Sequence, residues 1–269
     1  MNLYQEINVT EQKEEILIMG NMAKEQILQE VANSTWQPKF EFTDDLDAVV
    51  DSILKPHEDY FLRLHSKVKE IIEREIDYAK NINETHLYQK HNFEASEMKF
   101  FAKPINNYQI TFADVCNWQK ELFEYKMELI DNSYHPLDFD PIYGSPPTPK
   151  EVAFHYEAIQ LPNLHINLGL RQSNVKVDNW NLPAPMFLEN LKEMCFPLYV
   201  TDRLTINQHS TECFDNDDIL NTLTKWYKIF QTIHFFEDLN GRLGGIVINI
   251  LSYILTGKYL ISKQTYSYE

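Results

Sequence analysis

Glycine is scarce in this chain, 7 of 269 residues, where an average protein would carry about 7%. Cysteine is scarcer: Cys116, Cys195 and Cys213, with no Cys-x-x-Cys spacing. That excludes a disulfide framework and argues against a thiolate zinc site. Positive charge is also short. Lys and Arg number 24 against 40 Asp and Glu, a net charge of −16. A phosphate-backbone binder needs a basic face, so no nucleic-acid partner is expected, and an anionic membrane surface is equally unsuited. No apolar run is long enough to span a bilayer; the longest, near Ile246–Leu255, suits a buried helix. The opening MNLYQEINVTEQKEE is acidic and lacks an apolar run, so no Sec-type leader and a reducing, cytoplasmic compartment are expected, with export by a specialised secretion system the alternative that leaves no such signal. What is abundant is core-forming material. Apolar residues make up 43%, with 16 Phe and 15 Tyr, enough for a folded interior without metal or disulfide support.

The periodicities read as helical almost throughout. Thr10 is placed to cap a helix running to about Ala32, and Thr43 a second that stops before Pro56. Val68, Ile71, Ile72, Ile76 and Ala79 share one face of a third. Thr111 and Asp114 form a capping-box pattern at the head of a fourth, and Pro183 and Pro185 precede another. Between Asp217 and Ile233, residues Ile219, Leu220, Leu223, Trp226, Tyr227, Phe230 and Ile233 draw one apolar stripe, with Asp215, Asn216 and Asp217 as caps. The stretch Gly245–Thr256 is apolar nearly all round, which places it at the domain centre, and Gly257 is its stop. Residues 132–150, with five prolines, read as an irregular connection. Strand signal is confined to the alternating run 174–178.

Three of the seven glycines, Gly241, Gly244 and Gly245, fall within five residues. They lie in Ile233-His-Phe-Phe-Glu-Asp-Leu-Asn-Gly-Arg-Leu-Gly-Gly245, at the junction of the amphipathic helix and the buried one. A helix start leaves backbone N–H groups unpaired and favours anions, and glycine lets a ligand approach that backbone closely. Asn240 and Arg242 add donors, Asp238 a hard oxygen ligand suited to Mg²⁺, and His234 a side chain suited to general-base work. Taken singly, each has an ordinary structural explanation. A base, a metal ligand, an anion nest and a cation within nine residues are together a set that phosphoryl chemistry uses.

This run resembles the motif of the Fic (filamentation-induced-by-cAMP) family, His-x-Phe-x-Asp/Glu-Gly-Asn-Gly-Arg-x-x-Arg. His234, Phe236, Asp238, Asn240, Gly241 and Arg242 match at the family's spacing. Upstream, Gly169-Leu-Arg171 followed by Val175-Lys-Val177 is similar to the family's target-positioning hairpin, and Ala95-Ser96…Ile110–Val115 to the region of the inhibitory helix in one subgroup. The resemblance implies an all-α fold: a Fic-type helical bundle with a short β-hairpin flap in residues 95–269, plus an N-terminal helical region in residues 1–94. It implies transfer of AMP, or a related phosphate-containing moiety, from ATP or another nucleotide donor to a Tyr, Thr or Ser hydroxyl of a protein target. Under it, His234 would be the general base and Asp238 would hold Mg²⁺. Asn240, Gly241, Arg242 and Gly244 would line the nucleotide, and Phe236 would anchor the loop in the core.

Two positions depart from the motif: Leu239 stands where the family has glycine, and Gly245 where it has its last arginine. At the inhibitory position counted from Ser96, Phe100 replaces glutamate. Both halves of the family's inhibitory ion pair are thus missing, which implies that glutamate autoinhibition is absent. The missing arginine also keeps other donors open. A phosphotransferase or phosphocholine transferase on the same fold is one alternative, and a catalytically silent binding module is the other. No Walker loop, Rossmann glycine pattern or Gly-x-Ser-x-Gly elbow occurs.

Overall fold

The computed structural model describes residues 3–54, 64–91, 108–133, 169–172, 174, 182–200, 204–206, 209–211 and 215–263. The run 175–178, Ser96, Phe100 and the proline-rich connection from 134 onward lie outside them. Helices dominate: α1 Leu3–Asn33, α2 Leu46–Leu54, α3 His65–His91, α4 Phe112–Ser133, the short α5 Leu188–Leu191 set between two 3₁₀ turns, α6 Asn216–Ile233 and α7 Asn240–Thr256. No described helix is long and apolar enough to cross a membrane.

The expectation of a helical protein with a single hairpin needs one correction. Six short strands occur among the described residues: β1 Phe40–Thr43, β2 Tyr108–Ile110, β3 Leu198–Val200, β4 Leu204–Ile206, β5 His209–Thr211 and β6 Tyr259–Ser262. They form a four-stranded antiparallel sheet in the order β2-β3-β4-β5 and a two-stranded one, β1-β6. Tyr108 faces Val200, Leu198 faces Ile206, Ile206 faces His209, and Phe40 faces Ser262. Each strand is three or four residues long, too short to display an alternating pattern in sequence.

The caps follow local chemistry. Asp215 accepts the N–H groups of Asp217 and Asp218 at 2.9 Å and opens α6. Thr111 and Asp114 bond reciprocally, Thr111 N to Asp114 Oδ2 at 2.7 Å and Asp114 N to Thr111 Oγ1 at 3.2 Å, and open α4. Gly257 ends α7 at φ 75°, donating its N–H to the Tyr253 carbonyl. Two caps differ from expectation. Thr10 lies inside α1 rather than at its head. At α2 the cap is Asp45, whose Oδ1 accepts from Ala48 N at 3.0 Å, while Thr43 ends β1 and accepts from Asp45 N at 3.1 Å. The acidic residue nearer the helix wins because its carboxylate also meets the helix dipole.

Helix α7 forms the centre. Ile246, Val247, Ile248, Ile250 and Leu251 are fully buried, and α2, α3, α4, α6 and β6 surround the helix. Its polar residue Asn249 is buried but satisfied: Oδ1 accepts from Leu260 N at 2.7 Å and Nδ2 donates to the Gly245 carbonyl at 2.9 Å. The predicted α3 stripe, Val68, Ile71, Ile72, Ile76 and Ala79, is buried in the same cluster as Val49, Val50 and Leu54 of α2 and the α6 and α7 residues. Residues on both sides of position 94 therefore share one core. A polar seam joins α3 to β2 and α4: Tyr108 Oη and Trp118 Nε1 donate to the two oxygens of part-buried Glu75, and at the surface Arg74 grips Glu121 with two nitrogens at 2.9 and 3.0 Å.

Candidate functional site

The junction between α6 and α7 is a six-residue loop, 234–239, whose first and last residues are left-handed. His234 ends α6 at φ 55° and ψ 65°, and Leu239 precedes α7 at φ 73° and ψ 2°. Neither is glycine, and each such conformation costs on the order of 1 kcal/mol or more for an L-residue. The surrounding structure holds both in place.

Phe235 and Phe236 are fully buried. Phe236 stacks on Phe112 of α4, with centroids 5.5 Å apart and planes 1° from parallel. It anchors the loop as expected. Asn240 then clamps the loop from inside. Its Oδ1 accepts from Phe236 N at 3.0 Å and its Nδ2 donates to the Phe236 carbonyl at 2.8 Å. The Asn240 carbonyl accepts from Gln231 Nε2 at 3.0 Å, tying the loop to the last turn of α6. The Asn240 side chain is thus engaged in building the loop. What this residue and Gly241 offer a ligand is the N–H dipole of the first helical turn.

Asp238 is half-exposed. Its Oδ1 accepts from Leu239 N at 2.6 Å and from an Arg242 terminal nitrogen at 2.6 Å. Arg242 is buried in the first turn of α7. Burial lowers its pKa, and the Asp238 carboxylate pulls the other way. The metal-ligand candidate and the phosphate-binding candidate therefore form an ion pair with each other. Among the described residues no group of three or more His, Cys, Asp or Glu gathers as a metal site. Asp238 could supply one carboxylate to a hard cation such as Mg²⁺.

His234 is mostly buried. Desolvation lowers its pKa to about 4, and the positive charge of Arg171 adds to the shift, while Asp238 and the Gln231 backbone oppose it. The imidazole is neutral at pH 7 and has a lone pair to accept a proton.

The glycines divide. Gly241 lies in the first turn of α7. Gly244, assigned to the nucleotide from the sequence, packs against α6: a Cβ there would sit 2.6 Å from Gln231 Nε2 and 2.9 Å from the Tyr227 ring. Its role is helix–helix approach. Gly245 faces α2, where a Cβ would meet Ile53 Cγ1 at 2.8 Å. Any larger residue at that position would press its Cβ into the Ile53 side chain, which would have to shift, so glycine here serves the close packing of α7 on α2.

Leu239 shows the same trade. The family's glycine would suit a φ of 73°, but here the side chain is 2% exposed and belongs to the core. Burial of a leucine outweighs the backbone penalty.

Sequence reasoning missed the part played by Arg171, although Gly169-Leu-Arg171 stood out as a motif. The side chain is 1% exposed. Its Nε donates to the His234 carbonyl at 2.7 Å, a terminal nitrogen donates to the Pro183 carbonyl, and its backbone N–H donates to the Phe235 carbonyl at 2.8 Å. Nothing in the spacing between 171 and 234 signals this contact. No protein-family model matches the chain, and no match was found among curated proteins or solved structures.

Proposed function

We propose that this protein is a Fic-type transferase that moves AMP, or a related phosphate-containing moiety, from a nucleotide donor to a Tyr, Thr or Ser hydroxyl of a protein target. The observation that carries the reading is the joint placement of His234, Asp238, Gly241 and Arg242 on one loop-to-helix junction, in the order and spacing of the motif. His234, neutral at pH 7, would accept the proton of the attacking hydroxyl. Developing negative charge on the donor phosphate would meet the first turn of α7 and the Arg242 guanidinium. The half-exposed Asp238 fits a magnesium ion, which would supply charge neutralisation on the phosphates. Arg242 must leave Asp238 for both roles to operate. Binding of donor phosphate offers the guanidinium a second anion in exchange. The resemblance of Val175-Lys-Val177 to a target-positioning hairpin belongs to this proposal as well: such a hairpin would pair with an extended target segment.

One observation favours a second donor class on the same fold. Ile53 closes position 245, so no cation stands there for a third phosphate. A two-phosphate donor such as CDP-choline needs none, giving a phosphocholine transferase, and a phosphotransferase is the related case.

The test incubates wild type and His234→Ala with Mg²⁺, a cell lysate and, in turn, ATP, UTP, CTP, GTP and CDP-choline. Mass spectrometry then reads added mass on Tyr, Ser and Thr. A His234-dependent adduct is expected, and its mass names the donor. No adduct from folded protein with any donor rejects the transferase and leaves a binding module.

A further inference from the structure

One buried cation, Arg171, touches the 234–239 loop without belonging to it. We propose that Arg171 is a positioning residue for His234, holding the carbonyls that follow α6 so that the histidine leaves the helix in one fixed, left-handed orientation. The inference rests on the reading of His234 as the base.

Arg171 binds two successive carbonyls of the loop, His234 O through Nε and Phe235 O through its own N–H, and reaches the Pro183 carbonyl with its fork. Those loop carbonyls lie at the C-terminal end of α6, where helix geometry leaves acceptors unpaired and the dipole favours a cation. The segment carrying Arg171 is itself fixed from α4. Buried Gln119 accepts the Gly169 N–H at 2.9 Å, and Gly169 turns at φ 118°, a conformation open to glycine. A chain of contacts thus runs from α4 through Gln119 and Gly169 to Arg171, and from there to His234.

The choice of arginine is specific. A planar fork reaches acceptors in two different segments at once, which a lysine ammonium on a single flexible stem does not reproduce. Desolvation lowers the guanidinium pKa, with Glu237 nearby opposing it, but a guanidinium starts high enough to stay charged in the interior. That charge faces the imidazole and joins burial in keeping it neutral, against Asp238.

The experiment uses the full chain and four variants: Arg171→Lys, Arg171→Met, Arg171→Ala and His234→Gln, the last to assign the His234 imidazole signal by NMR. In folded Arg171→Met, the His234 titration is expected to move upward. Turnover should fall by about 100-fold, the scale of a misplaced catalytic group, with the donor KM little changed. Arg171→Lys should keep the low titration and still lose turnover. Guanidinium added to Arg171→Ala should restore part of the activity. An unchanged His234 signal and unchanged turnover in Arg171→Met overturn the proposal. If that variant does not fold, full turnover in Arg171→Lys overturns it instead. Should wild type transfer nothing, the transferase reading fails separately. The NMR titration then judges Arg171 alone, a shift in Arg171→Met supporting its hold on His234 and no shift overturning it.

Discussion

Leu239 offers a clean test because two large effects oppose each other at one residue. Replacing it with alanine removes a fully packed side chain and keeps the left-handed strain. Loss of a buried leucine side chain costs about 2–5 kcal/mol. Replacing it with glycine removes the same side chain but relieves about 1–2 kcal/mol of backbone strain at φ 73°. Glycine gives back about 0.4–1 kcal/mol of that through the greater freedom of the unfolded chain. Both variants are therefore expected to be less stable than wild type, with Leu239→Gly more stable than Leu239→Ala by about 0.5–1 kcal/mol. At an ordinary helix position the order would be reversed. Urea unfolding at pH 7, followed by far-UV circular dichroism, reads both differences, provided the m-values agree. If Leu239→Ala is the more stable of the two, the claim of strain at this position is wrong. If Leu239→Gly exceeds wild type, burial does not explain why leucine replaces the motif's glycine.

Other outcomes follow from the same geometry. Gly245→Ala should destabilise by about 1–3 kcal/mol, because its Cβ collides with Ile53, although glycine-to-alanine inside a helix ordinarily stabilises by about 1 kcal/mol. In an Ile53→Ala background the Gly245→Ala penalty should be much smaller, a clear coupling in the double-mutant cycle, and strict additivity of the two changes would refute the contact. His234 titrates near 6.5 when unfolded and at about 4 when folded, so the unfolded chain binds more protons between those values. Stability from this group is present above pH 6.5 and is lost as pH falls toward 4. Between pH 7 and pH 5 the wild type should lose about 2 kcal/mol more than His234→Gln. Parallel pH profiles for the two proteins would show that the imidazole is not held neutral.

Much of the helical frame was legible because its signals are local. The α3 and α6 stripes, the Thr111–Asp114 box and the Gly257 stop each depend on residues within a few positions of one another. The junction at 234–245 was legible for the same reason: its members are close in sequence. What could not be read depends on partners far away. Gly244 and Gly245 looked alike in the motif, yet one is small for the sake of Gln231 and Tyr227 and the other for Ile53. Asn240 looked like a ligand donor, and its side chain turns back on Phe236. Arg171 carried no sign that it would reach His234. The strands escaped because three or four residues give no clear period, and their pairing is decided by a core that local pattern does not describe.

The pairing of β1 with β6 carries a consequence for how the molecule is made. Phe40 waits for Ser262, more than two hundred residues later. At a synthesis rate of about 5–20 residues per second, that delay is roughly 10–40 s. Throughout it the β1 edge has bare N–H and C=O groups, and the α2 face that will cover α7 has nothing to cover. A nascent chain in that state is open to the wrong partners. Assembly of the His234 junction is then a late event, completed only after the ribosome has delivered α7 and the strand behind it.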